Sequence, residues 1–239
     1  MPRHGARKTL LPKADNLLLV GLPASVQEAI AEHLRPLKLE QNTVVQEAGR
    51  PIKHVYFPSA GMISLLAVTR TGDAIETGIV GHDGVAFGNG GQLGMPSFVQ
   101  GIVQIAGEGH SIRAEIFREL HDAHAPLKTA VDRYEAYVLV QAQQNAACHA
   151  LHPVSARFCR WILQAQNVVG GETVNLTQEF LSHMLGVRRS SVSVVAFDLQ
   201  KKGAIEYHRG RIKILDRQLL EKCSCECYAV LQRELKKHT

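Results

Sequence analysis

The chain has 239 residues, 45% of them hydrophobic, and a formal net charge of +5. That length suits one large domain or two small ones around a buried core. No apolar run approaches the roughly 20 residues that span a bilayer, and the basic start MPRHGARK lacks the apolar segment of a signal peptide; a cytoplasmic protein with no membrane partner is expected.

From the N-terminus, Ala24 to Leu37 reads as a short helix with Val26, Ile30 and Leu34 on one face. Between about Thr43 and Ile112 come short strand-like runs: VVQEA, KHVYFP, MISLLAV, AIETGIV, FVQGIVQIA and HSIRAE. Turn signals at Gly49-Arg50-Pro51, Ser59-Ala60-Gly61, Thr71-Gly72-Asp73 and Gly107-Glu108-Gly109 separate them, the texture of a sandwich or barrel. After Ala114 the text becomes helical through about Ala150, with Pro126 in a first turn where its missing N–H costs nothing. Leu127, Val131, Tyr134, Val138, Gln141 and Asn145 recur at alternating spacings of four and three. That is the stripe of a coiled-coil seam and hence of a dimer interface; the same stripe would serve to pack the helix on its own domain.

His152-Pro153 ends that helix, because the residue before proline avoids the α region. A further helix follows, with Phe158, Trp161, Ile162 and Ala165 on one face, and stops at Gly170-Gly171. Leu176 to Ile205 then has the spacing of a helix-turn-helix. Gly186 stands at the tight turn, Leu181, Leu185, Val187, Val192 and Val195 fall where the two helices must pack, and Ser182 is small enough to let them approach. A second helix from about Arg188 to Gln200 would turn Arg189, Ser190 and Ser193 outward toward a major groove. AIEYH, the turn Arg209-Gly210 and RIKIL read as a hairpin wing carrying His208, Arg209, Arg211 and Lys213. Charge agrees with this placement: residues 150–239 hold 14 Lys+Arg against 8 Asp+Glu, whereas residues 1–149 hold 13 against 14.

The segments HPVSARFCRWIL (His152–Leu163) and LTQEFLSHMLGVRRSSVSVVAFDLQKKGAI (Leu176–Ile205), followed by the wing and preceded by strands and a long helix, resemble the Crp/Fnr family of bacterial transcription regulators. In the strand region the resemblance rests on element order and on GHDGVAFG (Gly81–Gly88). It implies an α+β fold: an N-terminal β-roll (a double-stranded β-helix or jelly-roll sensor) over 1–125, a dimerisation helix over 126–150 and a C-terminal winged helix-turn-helix over 151–239. It further implies a homodimer on a palindromic operator, with double-stranded DNA, a second copy of the chain and RNA polymerase as partners and no cofactor. Within that family Ser155, Thr177 and Ser191 match phosphate-contacting positions, Arg189 matches the base-reading arginine, and His208 and Arg211 match wing contacts. Ser190 and Val194 replace the glutamate and second arginine often found there, and Arg188 replaces a capping serine, so the operator should differ from the usual one.

The cyclic-nucleotide branch of the family uses an arginine against the phosphate and a glutamate on the ribose. Here no Lys or Arg occurs from Thr71 to Ile112, so cyclic AMP binding of the usual kind is not expected, and no other ligand is legible. No cysteine precedes Cys148, which removes an N-terminal iron–sulfur cluster. The five cysteines, Cys148, Cys159, Cys223, Cys225 and Cys227, are odd in number and late in the chain, which argues against a disulfide scaffold. Cys223, Cys225 and Cys227 lie within five residues, but on a helix alternate residues diverge by about 200°; packed thiols under the wing are expected there rather than a metal site. No G-x-S-x-G, Walker loop, H-E-x-x-H or C-x₂-C pair occurs, so no enzyme is indicated. The alternative to a regulator is a ligand-binding or interaction module whose helix-turn-helix is vestigial.

Overall fold

The structure, a computed structural model, describes residues 16–238. Two short helices, α1 (Leu17–Val20) and α2 (Ala24–Ala31), lead into strands β1 (Arg35–Leu39), β2 (Val44–Gln46), β3 (His54–Val68) and β4 (Ala74–Val80). Helix α3 (Gly88–Leu93) precedes β5 (Gln100–Arg113), and α4 (Ala114–Ala123) leads into the 27-residue α5 (Ala125–Leu151). The C-terminal part runs α6 (Val154–Val169), β6 (Thr173–Asn175), α7 (Gln178–Leu185), α8 (Arg189–Lys201), β7 (Ile205–His208), β8 (Arg211–Ile214), α9 (Arg217–Cys223) and α10 (Cys227–His238). The expected mixed fold, an antiparallel N-terminal sheet followed by a long helix and a winged helix-turn-helix, is thus present in that order. No described helix is long and apolar enough to cross a membrane.

The sheet has the order β1-β5-β3-β4, with β2 also paired to β5, and every pairing is antiparallel. Two of the expected turns prove to be strand. Ser59-Ala60-Gly61 and Gly107-Glu108-Gly109 face each other inside β3 and β5, where the register shifts three times between Pro58 and Ile63. The glycines there mark close backbone approach rather than reversal. A Cβ on Gly107 would sit 2.2 Å from the Ala60 carbonyl oxygen, and one on Gly109 would sit 2.4 Å from that of Phe57. Thr71-Gly72-Asp73 does reverse the chain, between β3 and β4.

Helix α5 lies on the sheet, and this corrects the reading of its stripe as a dimer seam. Leu127, Val131, Tyr134, Gln141 and Asn145 are buried inside their own chain, and Val138 packs against the same core. Gln141 closes both ends of one backbone unit of β4, accepting from Ile79 N at 3.0 Å and donating to Ile79 O at 3.0 Å; Asn145 donates to Thr77 O. The heptad spacing is real, but the sheet is the partner that consumes it. The polar late positions, which look like a wet interhelical seam, instead satisfy a strand edge.

A second core forms around α6 and extends into the sheet: Met62, Ile79 and Ile105 join Phe158, Trp161, Ile162, Leu181, Leu185 and Val192. One polar contact pins this junction. The buried Glu76 of β4 accepts from Trp161 Nε1 at 2.7 Å and lies 2.8 Å from Ser64 Oγ. Burial pushes its carboxyl up to about 8, against the opposing effects of Ser64 and the Arg160 guanidinium. Helix α10 turns back to lie along α5 and α6, with Leu231 buried in the core beneath the sheet.

Candidate nucleic-acid interface

Helix α7 starts where the Thr177 hydroxyl accepts from Phe180 N at 3.2 Å, a side-chain N-cap. It stops at Gly186, whose φ of 59° lies in the left-handed region and turns the chain toward α8. Leu181, Leu185 and Val192 are fully or almost fully buried between the helices, with Val187 and Val195 packed beside them and Ser182 buried at the crossing. Phe180 meets Trp161 edge-on at 5.5 Å between ring centroids, so α7 is seated on the same tryptophan that holds Glu76. Arg157 adds a second anchor: its Nη1 donates to Leu185 O at 2.7 Å, at the negative end of α7.

The recognition helix begins one residue later than its sequence suggests. Arg188 is its N-cap residue, extended at φ −67°, ψ 147° and without a side-chain cap, and Arg189 opens the helix. Arg188, Arg189 and Ser190 are exposed, while Ser191 and Ser193 are half-buried. Ser193 does not face outward freely: its hydroxyl donates to Gln178 Oε1 at 3.1 Å, and Arg189 Nε lies 3.4 Å from the same oxygen. Gln178, in the first turn of α7, is therefore a positioning residue for Arg189 that sequence reasoning did not single out. Val194 and Phe197 stand outward on α8, each 69% exposed. Phe197 is not singled out in the sequence either; its spacing of three from Val194, which puts both on one face of α8, is the signal that finds it.

The wing closes on this surface. β7 and β8 pair with His208 opposite Arg211, β8 pairs with β6, and the reversal at Arg209-Gly210 has φ of 46° and 78°. Both turn residues with positive φ are what a two-residue type I′ hairpin requires. Leu176 N donates to Gly210 O at 2.7 Å, and a Cβ on Gly210 would touch Thr177 Cγ2 at 3.4 Å. Tyr207 OH donates to Leu176 O at 2.9 Å, and Tyr207 is near enough to Arg189 to feel its charge. Thus Thr177, Arg189 and the wing turn, 33 residues apart at the extremes, gather on one face; His208, Arg209 and Arg211 are exposed there. Ser155 is exposed in the first turn of α6.

The cysteine triplet is divided. Cys223 ends α9 and packs in the core with Cys159, whereas Cys225 and Cys227 lie against Cys148 at the far end of α5. The helical geometry expected to separate them is interrupted: Ser224 is extended at φ −78°, ψ 160°, and α10 begins only at Cys227. Cys223 packs against the core that includes Ile205, Ile212 and Ile214 of the wing, as expected, whereas Cys225 and Cys227 belong to the separate cluster around Cys148.

Residues 156–223 match the Crp-like helix-turn-helix domain family. Among curated proteins no sequence matches the chain. Solved structures do. FixK2 from Bradyrhizobium japonicum aligns with a TM-score of 0.70 at 13% identity, covering 80% of this chain and 98% of that one. CLP from Xanthomonas campestris, described as a c-di-GMP responsive global regulator, gives 0.67 at 17% identity, covering 80% and 99%. TTHA1359 from Thermus thermophilus, a Crp/Fnr-family transcriptional regulator, gives 0.65 at 17%, covering 80% and 98%. At such identities the likeness is one of fold.

Proposed function

We propose that this chain, with a Crp-like helix-turn-helix domain set on the fold of the Crp/Fnr regulators, is a sequence-specific DNA-binding transcription regulator rather than an enzyme. The observation that carries the reading is the convergence of Arg189, the capped start of α7 at Thr177 and the basic wing turn on one exposed face. Arg189 reads bases, and Arg188, Ser190, Ser191 and Ser193 line the rest of the helix start. Ser155, Thr177, His208, Arg209 and Arg211 contact phosphates. The exposed Val194 and Phe197 supply apolar contact for thymine methyl groups in place of a second cation.

Arg189→Ala should weaken binding to the selected operator by about 1–3 kcal/mol while binding to random DNA stays nearly unchanged. Fluorescence anisotropy on both DNAs measures this; equal loss on both would reduce Arg189 to a phosphate contact.

The active species is a homodimer, and its seam is the outer face of α5. Thr129, Asp132, Ala136, Leu139, Gln143, Ala146 and Ala150 are all exposed and recur at alternating spacings of three and four, with small residues that let two helices approach. Paired recognition helices would enter successive major grooves about 34 Å apart, and the bound dimer would act on RNA polymerase. The sensor half does not use cyclic AMP. Val80 and Val103 of the sheet and Phe87, the N-cap residue of α3, share one buried core with Val131 and Tyr134 of α5. Calorimetric titration with micromolar cyclic AMP is expected to give no heat of binding, and a measurable isotherm would refute this part.

A further inference from the structure

Where α5 hands over to α6, four ligand-type side chains meet: Cys148, His152, Cys225 and Cys227, whose ligand atoms all lie within 4.8 Å of one another. The geometry points to a zinc-class metal site formed by these three thiolates and one imidazole. Cys148 lies in the last turn of α5, and His152, its C-cap residue, donates its backbone N–H to Cys148 O at 3.1 Å. Cys225 lies in the non-helical break between α9 and α10, and Cys227 opens α10. A tetrahedral ion with metal–sulfur bonds of about 2.3 Å and a metal–nitrogen bond of about 2.0 Å sets its ligand atoms roughly 3.5–3.8 Å apart. The Cys148 and Cys225 sulfurs are 3.5 Å apart, and Cys227 Sγ is 3.5 Å from His152 Nδ1.

The surroundings are those of a ligand set rather than of packed thiols. With Nδ1 facing the sulfurs, His152 turns Nε2 to Glu226 Oε1 at 3.1 Å, the carboxylate–histidine arrangement that fixes a metal-binding tautomer. Gln144 Nε2 donates to Cys227 Sγ at 3.0 Å. Arg157 and Arg160 lie close enough for their charges to act on Cys148, which offsets the net negative charge of three thiolates around a divalent ion. Cys148 and Cys227 are fully buried and Cys225 nearly so, so the site is closed and four-coordinate, the pattern of a structural centre. Its place gives it a task. It ties the segment entering α10 to the hinge at His152-Pro153, between the long helix and the first helix of the DNA-binding part, so the metal would hold α10 on α5 and fix the angle at that hinge.

Full-length protein purified under reductant tests this. Elemental analysis should find about one zinc per chain, and exchange into cobalt(II) should give the intense visible bands of a tetrahedral thiolate site. Cys148→Ser/Cys225→Ser should lose both, Cys223→Ser should keep both, and chelation should lower the melting temperature of the wild type but not of the double variant. If the double variant fails to fold, the cobalt spectrum of the unmutated chain decides alone. Reduced wild type that takes up neither metal, or that forms a Cys148–Cys225 disulfide in place of binding one, overturns the proposal, as does a signal that survives the double substitution.

Discussion

Leu139→Glu should split the dimer and leave the protomer folded. Leu139 is 59% exposed at the centre of the outer stripe of α5, so a charge there costs the monomer little. In the proposed dimer it would face a second copy of itself, and like charges so placed cost several kcal/mol. A monomer can hold only one half-site, so operator affinity should fall by about 10²–10⁴-fold through loss of the second, tethered contact. Analytical ultracentrifugation and anisotropy read the two effects. Val131→Glu provides the contrast. Val131 is fully buried against the sheet, and an unpaired carboxylate there should unfold the chain. Were Val131→Glu to give a folded monomer and Leu139→Glu a normal dimer, the seam would lie on the inner stripe after all.

The second large effect is expected at Trp161, where the sheet and the helix-turn-helix part share a core. Trp161→Ala should cost about 3–5 kcal/mol, since it removes the largest fully buried side chain there and takes the donor from Glu76 Oε1. Trp161→Phe separates the ring from the hydrogen bond and should cost about 1–3 kcal/mol. The junction is also pH-dependent. Glu76 holds its proton up to about 8 in the folded chain, whereas an unfolded chain releases it near the ordinary carboxylate value. The resulting stabilisation is complete in acid below that ordinary value and is lost as pH rises toward 8. Glu76→Gln keeps the acceptor for Trp161 and removes the ionisation, so the melting temperature should lose that component of its pH dependence. Identical pH profiles for wild type and Glu76→Gln would show that this carboxyl is ordinary.

The contrast between what the chain's text discloses and what it conceals follows from the range of the interactions. The helix-turn-helix is written locally: Gly186, the flanking leucines and valines, and Thr177 as a cap all act within about ten residues. The wing is equally local, in Arg209-Gly210 between two alternating runs. The stripe on α5 was visible, but its partner was not. A heptad records that a face is buried, never against what, and only Gln141 meeting Ile79 across the fold decides it. Glycines at 61, 107 and 109 look like turn residues because the same missing Cβ serves a reversal and a close crossing of strands. The position of Arg189 is fixed by Gln178, eleven residues away on another helix, which no periodicity announces. The thiol–imidazole cluster was hidden most fully. Two of its ligands lie 77 residues from their partner, and the adjacency of Cys223, Cys225 and Cys227 suggested a grouping that the break at Ser224 undoes.

Selection of bound sequences from a random DNA pool by the full-length protein tests the central claim most directly. The account predicts enrichment of a palindrome whose half-sites are centred about 10 base pairs apart, each with a guanine in the register of Arg189, and retention that falls steeply as salt is raised. A pool left unchanged after selection, or retention indifferent to salt, would contradict it and leave the helix-turn-helix as a packing unit alone.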